Sequence, residues 1–151
     1  MAQQYRPYYL LLSFFLLLNY SHAQIQLGGT PRSFQLGLDD NNIPTINTPA
    51  IDLEALLEED SLRAMDNMPY RFAFPFPVSY NINTIGRWTE LPNGDRIWRL
   101  KINCDEALSV NLLYDDFFIP KGGLYYIYSA DRTEILGAFG PHNNKPSRRF
   151  A

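Results

Sequence analysis

Apolar and polar positions alternate most regularly in the second half of the chain. In "DRIWRLKIN" the spacing puts Trp98, Leu100 and Ile102 on one face and Arg99 and Lys101 on the other. The period is two, that of a strand with one covered and one wet face. The apolar face is expected to be core, and Arg99 and Lys101 are expected to meet solvent. "ALSVNLLYDD" repeats the pattern through Leu108, Val110, Leu112 and Tyr114. "GRWTEL", "LYYIYSA" and "EILGAF" add further strand runs. Turn chemistry separates them: "PNG" at 92–94, "FFIPKGG", and "DRT". "YRFAFPFPVSYNI" is aromatic and β-branched, but Pro75 and Pro77 restrict it to an edge strand or an irregular start. Runs of strands joined by short turns predict a mainly-β fold, an antiparallel, jelly-roll-like β-sandwich.

One helix is predicted ahead of the strands, within residues 49–68. Thr48 with Pro49 is a start signal and Asp52 a second possible cap. Leu53, Leu56, Leu57 and Met65 share a broad apolar face, early acidic residues suit the helix dipole, and Pro69 ends the run. Glu54, Glu58 and Glu59 read as a solvated face rather than as metal or acid–base groups. Residues 24–48 are rich in Gly, Pro, Asn and Asp and read as an extended segment or linker. Within them Phe34, Leu36 and Leu38 alternate as a short strand would. The sandwich is expected over 69–141, followed by a loop over 142–151.

The N-terminus changes the picture of where the protein works. A lone basic residue, Arg6, precedes an apolar run from Leu10 to Leu18, and small residues Ser21 and Ala23 precede Gln24. That is the layout of a secretory signal over 1–23, cut between Ala23 and Gln24. The alternatives are a membrane anchor or a buried helix, but the run is short of the ~20 residues of a span. The expected mature chain is secreted or held at the cell surface and has no membrane span.

Composition removes several chemistries. The 151 residues carry a formal net charge of −3, and nothing in them forms the basic face that nucleic acid needs. Of two histidines, His22 lies in the signal and His142 in a Gly/Pro/Asn-rich tail. No G-x-S-x-G surrounds a serine, and the only cysteine, Cys104, lies in a strand-like run that suits a small core residue. A Ser-His-Asp triad and a zinc site lack parts, and nothing in the sequence places Cys104 and His142 together as a Cys–His pair. The Asp39–Asn42 run and Asp115–Asp116 do not follow a calcium-loop pattern and read as turn formers. No catalytic, cofactor or metal residue is expected in this chain. "SRR" at 147–149 offers Arg148 and Arg149 as a processing site of trypsin-like type.

The ordered pieces "GGTPRSF", "IDLEALLEED", "MPYRFAF", "WTELPNGDRIWRLKI", "ALSVNLLYDDFFIPKGGLYYIYSAD" and "ILGAFGPHNNK" carry a resemblance. Together they make the chain similar to the N-terminal region of secreted trypsin-like and lysyl-endopeptidase-like serine proteases of Bacteroidetes-type bacteria. The resemblance implies a signal peptide, a β-rich pro-region and then a chymotrypsin-fold protease domain, the last absent from this sequence. The implied function is non-catalytic: to assist folding of the downstream protease, to hold it inactive, or both. The implied partner is that protease domain. The sandwich would then lack its last strand or strands, and its open edge would invite self-association. The alternative function is a stand-alone surface module for carbohydrate or protein, with Tyr125, Tyr126, Tyr128, Trp88 and Trp98 as stacking candidates.

Overall fold

A computed structural model describes residues 26–151. They divide into two compact units, one built from residues 26–29 with 114–150 and the other from 30–113 with Ala151. Short strands outnumber helices, and the chain is mainly β. Among the described residues, six strands form three two-stranded sheets.

In the unit of residues 30–113, Arg32–Gln35 form a single helical turn, α1, beginning after Pro31. Pro31 sits at the N-cap, its carbonyl accepting from the Phe34 and Gln35 N–H groups at 3.0 and 3.3 Å, and in this turn Phe34, Leu36 and Leu38 do not form the short strand that their alternation predicts. Strand β1 (Thr45–Asn47) follows. Helix α2 spans Leu53–Met65, and Asp52 caps it by accepting a 3.0 Å hydrogen bond from the Ala55 N–H. The cap is therefore Asp52 rather than Thr48, because its carboxylate reaches the third N–H of the helix. No residue of α2 is buried.

Strands β2 (Arg87–Glu90) and β3 (Arg96–Arg99) form a hairpin in which Trp88 faces Trp98. The Pro92–Gly94 turn closes it, with Gly94 at φ 85° and a Gly94 N–H to Leu91 C=O bond of 2.9 Å. Gly86 enters the hairpin at φ 86°, and a Cβ there would lie 2.4 Å from the Trp98 indole nitrogen. The indole N–H donates to the Ile85 carbonyl at 2.9 Å. Gly86 thus lets the backbone close on a tryptophan edge.

The single strand expected from Arg96 through Ile102 is broken at Leu100. Beyond it, β4 (Lys101–Asn103) leaves the hairpin and pairs with β1, in parallel, Ile46 opposite Ile102. The antiparallel expectation does not hold for this pair. A parallel pair needs a long crossover, and the chain from Thr48 to Leu100, with α2 in it, supplies one. Burial along β3 also inverts the expected pattern. Arg99 is buried, Trp98 is half-buried and Ile102 is exposed, while Lys101 is exposed as expected. The reason is a carboxylate: Asp40 accepts from the Arg99 guanidinium at 2.8 Å, which draws that side chain inward.

"ALSVNLLYDD" forms no strand; Leu108 and Leu113 are exposed, and only Tyr114 makes a ladder contact, an antiparallel bridge to Phe150. Alternation alone could not supply the partner strand on which a ladder depends. "YRFAFPFPVSYNI" likewise has no regular pairing, and neither turn nor bend interrupts residues 68–81.

In the other unit, β5 (Tyr125–Tyr128) pairs antiparallel with β6 (Ile135–Phe139). Tyr125 faces Phe139 and Tyr126 faces Gly137, so Ala138 is an extra residue that bulges β6. Gly137 sits at φ 117°, and a Cβ there would lie 2.6 Å from the Tyr125 carbonyl oxygen. Leu27 and Gly28 exchange backbone hydrogen bonds with Ala138. The core is aromatic: Phe117, Ile119, Phe139 and Phe150, with Tyr114 and Tyr125 packed against them. Phe117 and Phe150 stack at 4.1 Å and 8°. The tail is therefore anchored at both ends, with residues 145–149 exposed between the anchors. Pro141–Asn143 form a 3-10 turn, Asn143 Oδ1 accepts from the Gly140 N–H, and the Asn144 amide bonds both the N–H and the C=O of Ile119 at 2.8 Å. The Asn residues that suggest a loop serve as surrogate backbone partners, and the final Phe enters the core.

Candidate functional site

Cys104 is a half-buried free thiol just after β4. His142 lies in the 3-10 turn of the other unit. Among the described residues, no group of three His, Cys, Asp or Glu side chains could hold a metal ion. Several acidic residues have local structural roles. Asp39 accepts from the Asn41 N–H at 2.9 Å in a turn, and Asp40 holds Arg99. Asp116 pairs with Arg148. Glu59 and Asp60 both pair with Arg71, at 2.6 and 3.0 Å, and these contacts raise the Arg71 pKa above its ordinary value. Asp131 accepts from the Ser129 hydroxyl and from the N–H and hydroxyl of Thr133. These bonds lower its pKa and tie the β5–β6 turn.

The Tyr114 and Tyr125 hydroxyls form a partly buried hydrogen bond between two titratable groups packed against the aromatic core. Burial raises both pKa values, most strongly that of Tyr125, where the neighbouring Tyr114 adds to the effect. Two neutral phenols sharing one hydrogen bond, one donating and the other accepting, are a structural pair: neither is a base near neutral pH.

The predicted signal and its Ala23–Gln24 junction lie outside the described residues. Arg148 and Arg149 are described. The Arg148 guanidinium pairs with Asp116 and lies 5.3 Å from the centre of the Phe118 ring. Its backbone is at φ 55°, and its carbonyl accepts from the Phe117 N–H at 2.7 Å. One residue beyond Arg149, Phe150 bonds Tyr114 in both directions. A chain held in this way must open locally before it can lie extended in a protease cleft.

The aromatic candidates for sugar stacking are mostly engaged. Tyr125 belongs to the core, and Trp98 is half-buried under Gly86. Trp88 is exposed, but the Arg96 guanidinium covers one ring face at 4.7 Å. A depression of about 350 Å³ is lined by Arg32, Leu36, Leu38, Leu91, Pro92 and Asn93, residues of α1, its exit and the hairpin turn. It is wide open, and apolar but for one guanidinium and one amide.

Large exposed apolar side chains were missed as a group by sequence reasoning. On α2, Leu53, Leu57, Leu62 and Met65 are all exposed. Beyond it, Tyr70 and Phe72 are 86% and 90% exposed, and Phe74, Val78, Tyr80 and Ile82 are exposed as well. The helix period had pointed to a face, but nothing in a period says whether that face finds a partner. No helix among the described residues is long and apolar enough to cross a membrane. No protein-family model matches the chain, and no solved structure matches it.

Proposed function

We propose that this chain is a non-catalytic pro-region of a secreted serine endopeptidase of trypsin-like or lysyl-endopeptidase-like type, working by binding its protease domain. The observation that carries the reading is the exposed apolar surface of α2 and residues 70–82 beside scattered, structurally engaged polar groups. Contiguous exposed apolar surface marks interaction sites. A binder that recognises the folded form of its partner stabilises that form in proportion to RT ln(1 + [L]/Kd). Tethered on one chain, its effective concentration reaches about millimolar. Nothing in that role needs a cofactor or nucleic acid. Secretion after removal of residues 1–23 is part of the proposal. So is completion of the short sheets into a β-sandwich when further strands add to their open edges.

The test is co-refolding. The protease domain that the proposal places after this chain is refolded with and without it, and recovered activity on Lys and Arg substrates is measured. More recovered activity, or inhibition of the folded protease, is the expected result. An unchanged yield together with uninhibited protease would overturn the reading.

A further inference from the structure

Residues 70–82 have an order that their lack of pairing conceals. Every even position is apolar: Tyr70, Phe72, Phe74, Phe76, Val78, Tyr80 and Ile82. Every odd position is small, polar or proline: Arg71, Ala73, Pro75, Pro77, Ser79 and Asn81. Seven consecutive alternations are the signature of a strand. The backbone runs without turn or bend from 68 to 81, and among the described residues it makes no backbone hydrogen bond from 69 to 80. Phe74 and Phe76 lie 5.3 Å apart, edge to face, as same-side neighbours on an extended chain do.

The prolines define which edge of this strand is usable. In a strand the N–H and C=O of one residue point to one edge and those of the next to the other. Pro75 and Pro77 are both odd, so both missing donors fall on the same edge. The even edge keeps all of its donors and acceptors. A strand with one blocked and one intact edge accepts a single neighbour.

We propose that residues 70–80 form the interface of a two-fold dimer, pairing antiparallel through the even edge with the same segment of a second copy. This association uses part of the apolar surface that the pro-region reading gives to the protease, so dimer and protease compete for residues 70–80. Two observations select a second copy. A two-fold axis at Pro75 sets Phe74 against Phe76, Phe72 against Val78 and Tyr70 against Tyr80. Each is an aromatic–aromatic or aromatic–β-branched pair, the kinds that stabilise adjacent strands. In that register the even residues are the hydrogen-bonded pairs, and the prolines fall in the others, where no N–H toward the partner is required. Parallel stacking of copies would instead set an intact edge against a proline edge. The prolines therefore stop the association at two.

The purified chain is examined by sedimentation velocity from about 1 to about 100 micromolar, where a dimer of this kind dissociates. A concentration-dependent monomer–dimer equilibrium is expected. Val78→Pro deletes a donor on the pairing edge, twice per dimer, and weakens the dimer by about tenfold or more. Ser79→Pro deletes a donor on the edge already carrying prolines and leaves the equilibrium unchanged. A second measurement does not depend on a proline substitution being tolerated. In a Cys104→Ser background, Pro75→Cys places two thiols across the axis, with Cα atoms about 4.5 Å apart, within disulfide reach. Mild oxidation should yield a covalent dimer from Pro75→Cys and none from Ser79→Cys in the same background. A monomer throughout, equal effects of the two prolines, equal cross-linking of the two cysteines, or growth beyond a dimer would each overturn the proposal.

Discussion

Arg99 shows how one side chain redirects a strand. Its alternation partner Lys101 is wet as the period predicts, yet Arg99 is 8% exposed and held by Asp40 at 2.8 Å. A buried cation is tolerated only while its counter-charge is present. Asp40→Ala should therefore cost about 2 to 3 kcal/mol, low in the range for a buried pair because Asp40 is itself only partly covered. Urea unfolding of the two proteins would measure it. The Tyr114–Tyr125 pair makes a prediction in pH. Burial favours the neutral phenols in the folded state, so both pKa values lie above the unfolded value of about 10. That contribution is complete below about pH 10 and is lost as pH rises beyond it, where the unfolded chain ionises first. Stability measured in urea should be level from about pH 7 to 9 and fall above 10. In Tyr125→Phe the alkaline fall should be shallower, with about 1 kcal/mol lost near neutrality from the missing hydrogen bond.

Among the elements, the tail that runs through Arg148 and Arg149 behaves unlike its composition. Its Gly, Pro and Asn content reads as a loop, but Asn144 brackets Ile119 and Phe150 stacks on Phe117. Cleavage after either arginine requires this segment to leave the core. Phe150→Ala removes the stacked ring, at a cost of about 3 kcal/mol for a buried aromatic. Trypsin should then cut at Arg148 and Arg149 at least about tenfold faster than in the unaltered chain, since cleavage follows the open population. Mass spectrometry of timed digests reads the site directly, and an unchanged rate would show that the tail opens independently of the core. The strand elements divide in the same way. The β2–β3 hairpin was legible because a Pro-Asn-Gly turn sits between two alternating runs. The runs at 68–81 and 107–113 alternate as well, but their pairing partners are not encoded nearby.

At the scale of the molecule, the mainly-β character, the place of helix α2 and the turns within 92–94, 117–123 and 131–133 were legible in the sequence alone. Each rests on local chemistry: a side-chain period, a cap, a proline, a glycine that must take positive φ. Tertiary structure alone decided which faces are covered. It placed β4 in parallel beside β1 across some fifty residues of chain, turned Arg99 inward and Ile102 outward, and drew Phe150 into an aromatic core. It also left Leu53, Leu57 and Leu62 of α2 and Tyr70, Phe72, Phe74 and Tyr80 exposed. Burial is a property of pairs of distant segments, so a period can say that a face exists, while only the assembled chain says what, if anything, lies against it.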